Sequence, residues 1–263
     1  MIIALNNKCN MTKQEFKEYQ NSLSSVNTDI KMILCPNMVN ISNFSTFNNC
    51  YLGAQNVSRY NSGAHTGEVS ADILKSHGVC FCIVGHSERR ENGETDDEIK
   101  EKIQRLLEAG IIPILCIGES FRERQEGEYA DVILNELTTA LDPLTDDQKK
   151  RIIIAYEPIW SIGTGIVPQN SEIEEVFYLI KQVAPDCKIL YAKYNPVLDI
   201  NHKFGGPHPV HFEKIYYAYR MNLLSDLILN NGINSNDIDE DYCNIYNNEI
   251  AYIKSKKLNN VFN

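Results

Sequence analysis

The stretch Ile152–Gly165 reads IIIAYEPIWSIGTG. It opens with an apolar, β-branched run that shows no polar alternation, the pattern of a strand buried on both faces. The run ends in a carboxylate, Glu157, set directly before Pro158. A loop follows that carries Trp160, the only tryptophan of the chain, together with Gly163 and Gly165. A buried strand that delivers one charge to its C-terminal end and then enters a glycine-bearing loop predicts a site at that end.

Working outward, seven similar runs occur: 2–5, 31–35, 50–54, 79–84, 112–117, 188–192 and 215–219. Helical signals separate most of them. Thr12-x-x-Glu15, Thr95-x-x-Glu98 and Ser171-x-x-Glu174 are capping-box patterns, in which a hydroxyl accepts an orphan N–H and the carboxylate reaches back. Ile99, Ile103, Leu106 and Leu107 form one apolar stripe, ended by Gly110, and Ile173, Val176, Phe177 and Ile180 form another. A helix is expected over about 130–141, and only a short one within 36–49.

Eight strands alternating with helices predict a (β/α)8 barrel or an open doubly wound sheet. No G-x-G-x-x-G follows an early strand, which favours the barrel. We expect the barrel over 1–230 and an acidic and polar, partly helical extension over 231–263. A chain of 263 residues, 43% hydrophobic, fits a single barrel domain.

Formal net charge is −10, which argues against a nucleic-acid surface, since phosphate contacts need clustered Lys and Arg. The eight cysteines contain no C-x-x-C pair, so reduced, mostly buried thiols are expected rather than a zinc site or a disulfide framework. MIIAL is too short for a signal peptide, and no run approaches a membrane span. A cytoplasmic location is expected.

In a (β/α)8 barrel the site lies at the C-terminal ends of the strands. Asn6 and Lys8 stand after the first run, His86 within GHSERR after the fourth, and Glu157 after the sixth. Each has an ordinary alternative: a solvated lysine, a structural histidine, a cap for a helix near Ser161. Together they suit proton transfer beside a carbonyl. A carboxylate removes a C–H proton, an imidazole serves the oxygens, and an ammonium stabilises the negative charge that develops. No metal or cofactor is required, and a loop that excludes water protects the intermediate.

These residues resemble the triosephosphate isomerase family. The resemblance is carried by NNKCN (6–10), GAQNV (53–57), NSGAHTGEVSADIL (61–74), GHSERRE (85–91), EAGIIPILCIGE (108–119) and AYEPIWSIGTG (155–165). It implies Lys8, His86 and Glu157 as catalytic residues, Asn6 as a substrate contact and Gly163 as the lid glycine that meets a phosphate. Glu88 and Cys116 match supporting residues. The resemblance also implies interconversion of dihydroxyacetone phosphate and glyceraldehyde 3-phosphate without a cofactor. It further implies a homodimer in which Thr66, at the tip of loop 61–68, docks into the partner. His65 stands where the family often has a bulky aromatic.

The last third departs from the family. Where the family has Tyr-Gly-Gly-Ser-Val after strand seven, this chain has Tyr191-Ala192-Lys193-Tyr194-Asn195. Where the family has Val-Gly-Gly-Ala after strand eight, it has Tyr217-Ala218-Tyr219-Arg220. Glycine lets backbone N–H groups approach a phosphate closely because it has no Cβ. The substitutions make Lys193, Tyr194 and Arg220 the expected substrate contacts there. They also open two alternatives: an isomerase or epimerase acting on another phosphorylated ketose such as a tetrose, and a non-catalytic barrel.

Overall fold

The computed structural model describes residues 2–24, 31–47, 49–162 and 168–191. In chain order they form β1 (Ile2–Asn6), α1 (Lys13–Ser24), β2 (Lys31–Cys35), a 3-10 turn (Met38–Asn43) and β3 (Cys50–Ala54). Then come α2 (Ala71–Ser76), β4 (Phe81–Val84), α3 (Ser87–Glu91), α4 (Asp96–Glu108) and β5 (Ile112–Ile117). The remainder is α5 (Phe121–Glu126), α6 (Tyr129–Leu141), α7 (Asp146–Lys149), β6 (Ile153–Tyr156), a 3-10 turn (Ile159–Ser161), α8 (Asn170–Val183) and β7 (Lys188–Tyr191).

All seven strands are parallel and pair in sequence order, β1 through β7. Each thus begins at one mouth of a curled sheet and ends at the other, as in a (β/α)8 barrel. The expected eighth strand, 215–219, and the extension 231–263 lie outside the described residues.

The absence of polar alternation has a direct cause. On β5, Leu115 and Ile117 join the core between sheet and helices, whereas Ile114 and Cys116 join the core inside the sheet's curve. On β6, Ile154 and Tyr156 face the helices and Ile153 and Ala155 face inward. Both sides of each strand are covered, so each side must be apolar. Ile99, Ile103, Leu106 and Leu107 are the buried stripe of α4. Gly110 follows at φ 72, a conformation that glycine adopts without steric cost.

The capping box at Thr95 and Glu98 is formed, and Glu15 caps Thr12 through its backbone N–H at 2.8 Å. At α8 the expectation is corrected by two residues. The Gln169 N–H donates to the Glu172 carboxylate at 2.8 Å, and the helix starts at Asn170. Ser171 is therefore inside the first turn, two residues past the capping position held by Gln169. The sequence reading also passed over the capping boxes of Ser120 with Glu123 and of Thr145 with Gln148, which start α5 and α7.

Candidate active site

Lys8 follows β1 with φ 46, a left-handed conformation that costs a non-glycine residue energy and needs support. Asn6 supplies part of that support: its Oδ1 accepts the Lys8 backbone N–H at 3.0 Å. The Lys8 carbonyl in turn accepts from Gln55 Nε2 at 3.0 Å. The ammonium donates to Glu88 Oε1 at 2.8 Å.

His86 stands two residues after β4 and caps α3. Its Nδ1 accepts the Glu88 backbone N–H at 3.3 Å, so a neutral ring carries its hydrogen on Nε2. That nitrogen faces Glu157 Oε2 at 3.8 Å. Glu88 Oε2 lies 3.7 Å from His86 Nδ1. Gly85, just before the histidine, has φ 69; a Cβ there would come within 3.2 Å of the Cys116 carbonyl oxygen. The turn from β4 into α3 therefore requires a glycine.

Glu157 leaves β6 with its backbone N–H bonded to the Ile117 carbonyl at 2.9 Å. Its carboxylate accepts from Ser87 Oγ at 3.2 Å. Glu157 does not cap a helix near Ser161. Pro158 precedes that 3-10 turn, and no side chain caps it. Cys116 is buried on β5, register-paired with Ala155. Burial, then the charge of Glu157, pushes its thiol far above the usual range, so it is an inert packing group.

The loop after Glu157 is anchored at its start. Trp160 Nε1 donates to Glu119 Oε1 at 2.7 Å, and the Tyr156 hydroxyl donates to the same oxygen at 3.1 Å. Glu119 is wholly buried; burial raises its pKa, and the hydrogen bonds and Arg124 oppose the rise. Glu119 belongs to ILCIGE, yet sequence reasoning gave it no role. Its signal was the one used for Glu157, a carboxylate standing after a buried strand. Ser87 was likewise present in GHSERR and overlooked.

The structure therefore brings Asn6, Lys8, Glu88, His86, Ser87 and Glu157 together at the C-terminal ends of β1, β4 and β6. Gly163, Lys193, Tyr194, Tyr219 and Arg220 lie outside the described residues. Thr66 and its neighbours in loop 61–68 are exposed, apart from a half-buried His65. The His65 ring stacks on Tyr60 of its own chain, centroids 3.5 Å apart.

A parallel β/α barrel with an amine, an imidazole and a carboxylate converging at its strand ends defines an enzyme scaffold built for proton transfer. The family model described as triosephosphate isomerase matches residues 1–193. Three proteins named triosephosphate isomerase are similar to this chain. That of Alkaliphilus metalliredigens is 39% identical over 188 residues, covering 69% of this chain and 76% of the relative. That of Lactobacillus delbrueckii subsp. bulgaricus is 36% identical over 192 residues, covering 70% and 76%. That of Cytophaga hutchinsonii is 35% identical over 208 residues, covering 73% and 83%. The chain belongs to the triosephosphate isomerase family.

Proposed function

We propose that this enzyme is a triosephosphate isomerase that interconverts dihydroxyacetone phosphate and glyceraldehyde 3-phosphate through an enediolate. As a member of the family it takes its place in glycolysis and gluconeogenesis. The observation that carries the residue roles is the unbroken run of contacts Lys8–Glu88–His86–Glu157.

In this reading Glu157 removes the C–H proton next to the carbonyl and returns it to the neighbouring carbon. His86 presents its Nε2–H to the two substrate oxygens as charge moves between them. The Lys8 ammonium, held by Glu88, offsets the negative charge of the enediolate. Ser87 holds the carboxylate in the resting position from which it swings to the carbon. Asn6 secures the strained backbone that aims Lys8. Gly163, Lys193, Tyr194 and Arg220 are proposed as the phosphate end of the site.

The isomerase acting on another ketose and the non-catalytic barrel are not favoured, because relatives aligned over most of their own length bear the triosephosphate isomerase name. We also propose a homodimer through loop 61–68 and a cytoplasmic location. Among the described residues no helix is long and apolar enough to cross a membrane.

The test is a coupled assay with glyceraldehyde 3-phosphate. The parent enzyme turns over, and Glu157→Gln lowers kcat by roughly 10²–10⁴-fold, the range of acid–base catalysis. No turnover at high enzyme concentration would end the proposal. A tetrose phosphate converted faster than the triose would replace its substrate.

A further inference from the structure

A buried carboxylate outside the site stands behind both His86 and Glu157. On α6, Ile133, Glu136, Leu137 and Ala140 are buried at helical spacing. The carboxylate that interrupts this apolar stripe has a side chain only 8% exposed. A charge buried there costs free energy unless partners offset the lost water. Its partners are the Gly118 N–H, at 3.0 Å, and Arg90 Nη1, at 3.2 Å.

Each partner leads to one side of the site. Arg90 lies in α3, the helix that His86 caps. Its Nε donates to the Gly85 carbonyl, next to His86, at 2.8 Å, and its Nη2 to the Cys116 carbonyl at 3.4 Å. Gly118 follows β5 so close to Glu157 that a Cβ on it would lie 1.9 Å from the Glu157 carbonyl oxygen. The adjoining Ile117 carbonyl accepts the Glu157 N–H at 2.9 Å. One guanidinium–carboxylate pair thereby fastens the end of β4, which presents His86, to the end of β5, against which Glu157 rests.

We propose, on the triosephosphate isomerase reading above, that Glu136 is a positioning residue: with Arg90 it sets the spacing of His86 and Glu157, and its charge state sets kcat. Ionised, Glu136 holds the Gly118 N–H and the Arg90 guanidinium through charge-assisted contacts. Protonation weakens both and leaves Arg90 to Asp96, so the two strand ends relax apart. Burial raises the Glu136 pKa to about 7; Arg90 and the Gly118 N–H oppose the rise, and Asp96 and Glu123 add to it. The charge therefore changes within the range where most enzymes work. Among the described residues, the charged and titratable groups around Glu136 are Arg90 of α3, Asp96 of α4, Glu123 of α5 and Cys116 of β5. Burial keeps the Cys116 thiol protonated throughout that range. From α8 come the apolar Ile173, Val176 and Ile180, in the cluster that holds Ile133 and Leu137.

Two measurements on the full chain test this. In the isomerase assay, the parent kcat is expected to rise as pH passes upward through about 7. Glu136→Gln keeps an acceptor for the Gly118 N–H but carries no charge. It is expected to keep its circular dichroism and KM. Its kcat is expected to fall roughly threefold to tenfold below the parent on the alkaline side, a fraction of the 10²-fold cost of a 1 Å misplacement. On the acid side the two rates converge. Ionisation of the substrate phosphate is common to both enzymes and cancels in their ratio. Amide NMR reads the same coupling without turnover. In the parent, the Gly118 and Glu157 N–H resonances are expected to titrate together at about pH 7, and in Glu136→Gln neither does. A ratio of the two kcat values that stays constant with pH would make Glu136 merely structural and overturn the proposal. So would a Glu157 amide that does not follow Gly118, or that titrates unchanged in the variant. A parent without turnover would end the isomerase reading instead, and the amide titration would still decide whether Glu136 moves the Glu157 segment.

Discussion

Ser87 Oγ donates to Glu157 Oε2 at 3.2 Å, across 70 residues of sequence. Ser87 opens the helix that His86 caps, so one short element carries the imidazole and also restrains the carboxylate facing it. The two groups proposed for opposite sides of the proton transfer thus share a support, and a shift of α3 moves both.

Ser87→Ala removes the restraint and leaves the helix start intact, because the capping group is His86. A hydrogen bond to a charged group is worth about 1.5–3 kcal/mol. If part of that sets the resting position of the base, kcat in the isomerase assay is expected to fall roughly tenfold. Ser87→Thr retains the hydroxyl and is expected to retain most of the rate.

Gly118 lies against the backbone of the base. A Cβ there would sit 1.9 Å from the Glu157 carbonyl oxygen, an overlap that only a backbone shift relieves. Gly118→Ala is expected to move Glu157 by a fraction of an ångström or more and to cost about 10²-fold in kcat, as misplacement by 1 Å does. Kinetics and circular dichroism read it together: activity falls more steeply than helix content. The same substitution at Gly67, where nothing lies within 4 Å of the added carbon, leaves the site untouched and reports only the strain of its φ of 88.

Behind α3 lies a buried ion pair. Lys102 donates to Glu94 and also to Asn56 Oδ1, at 2.8 Å, and Arg89 Nε reaches Glu94 Oε1 at 3.3 Å. Lys102 and Glu94 side chains are 7% and 3% exposed. Lys102→Met leaves the buried Glu94 carboxylate to Arg89 alone; losing one partner of a buried pair typically costs about 3–5 kcal/mol, and the remaining Arg89 contact puts the expected loss at the lower end. Urea melts are expected to show that loss, with much of it recovered in the double variant Glu94→Gln/Lys102→Met.

Glu136 gives a pH signature. It accepts the Gly118 N–H at 3.0 Å and lies 3.2 Å from Arg90. Burial still outweighs both and raises its pKa to about 7. A carboxylate with a higher pKa folded than unfolded binds more protons when folded. The stability it contributes is then full below the unfolded value and is lost as pH rises through about 7. Between the two values the loss is on the order of 3 kcal/mol. Glu136→Gln is expected to flatten the stability profile between about pH 4.5 and 7, measured by denaturant midpoints across that window.

The amino-acid sequence alone determined seven segments as strands, those of the described residues, and where Lys8, His86 and Glu157 stand along the chain. Burial of both faces leaves a local mark, the unalternated runs at IPILCI and IIIAY, and turn chemistry leaves another, the glycine before His86. Lys8, His86 and Glu157 could be named because each follows such a run. Tertiary structure alone decided their contacts: Lys8 to Glu88 across 80 residues, Ser87 to Glu157 across 70, and Trp160 to Glu119 across 41. Only the folded chain shows that Gly118 must lack a side chain, since the obstacle is the backbone of Glu157 just past the end of the neighbouring strand. Periodicity is a property of near neighbours. The distance between two strand ends is set by sheet register and curvature, and these come from the packing of the whole chain.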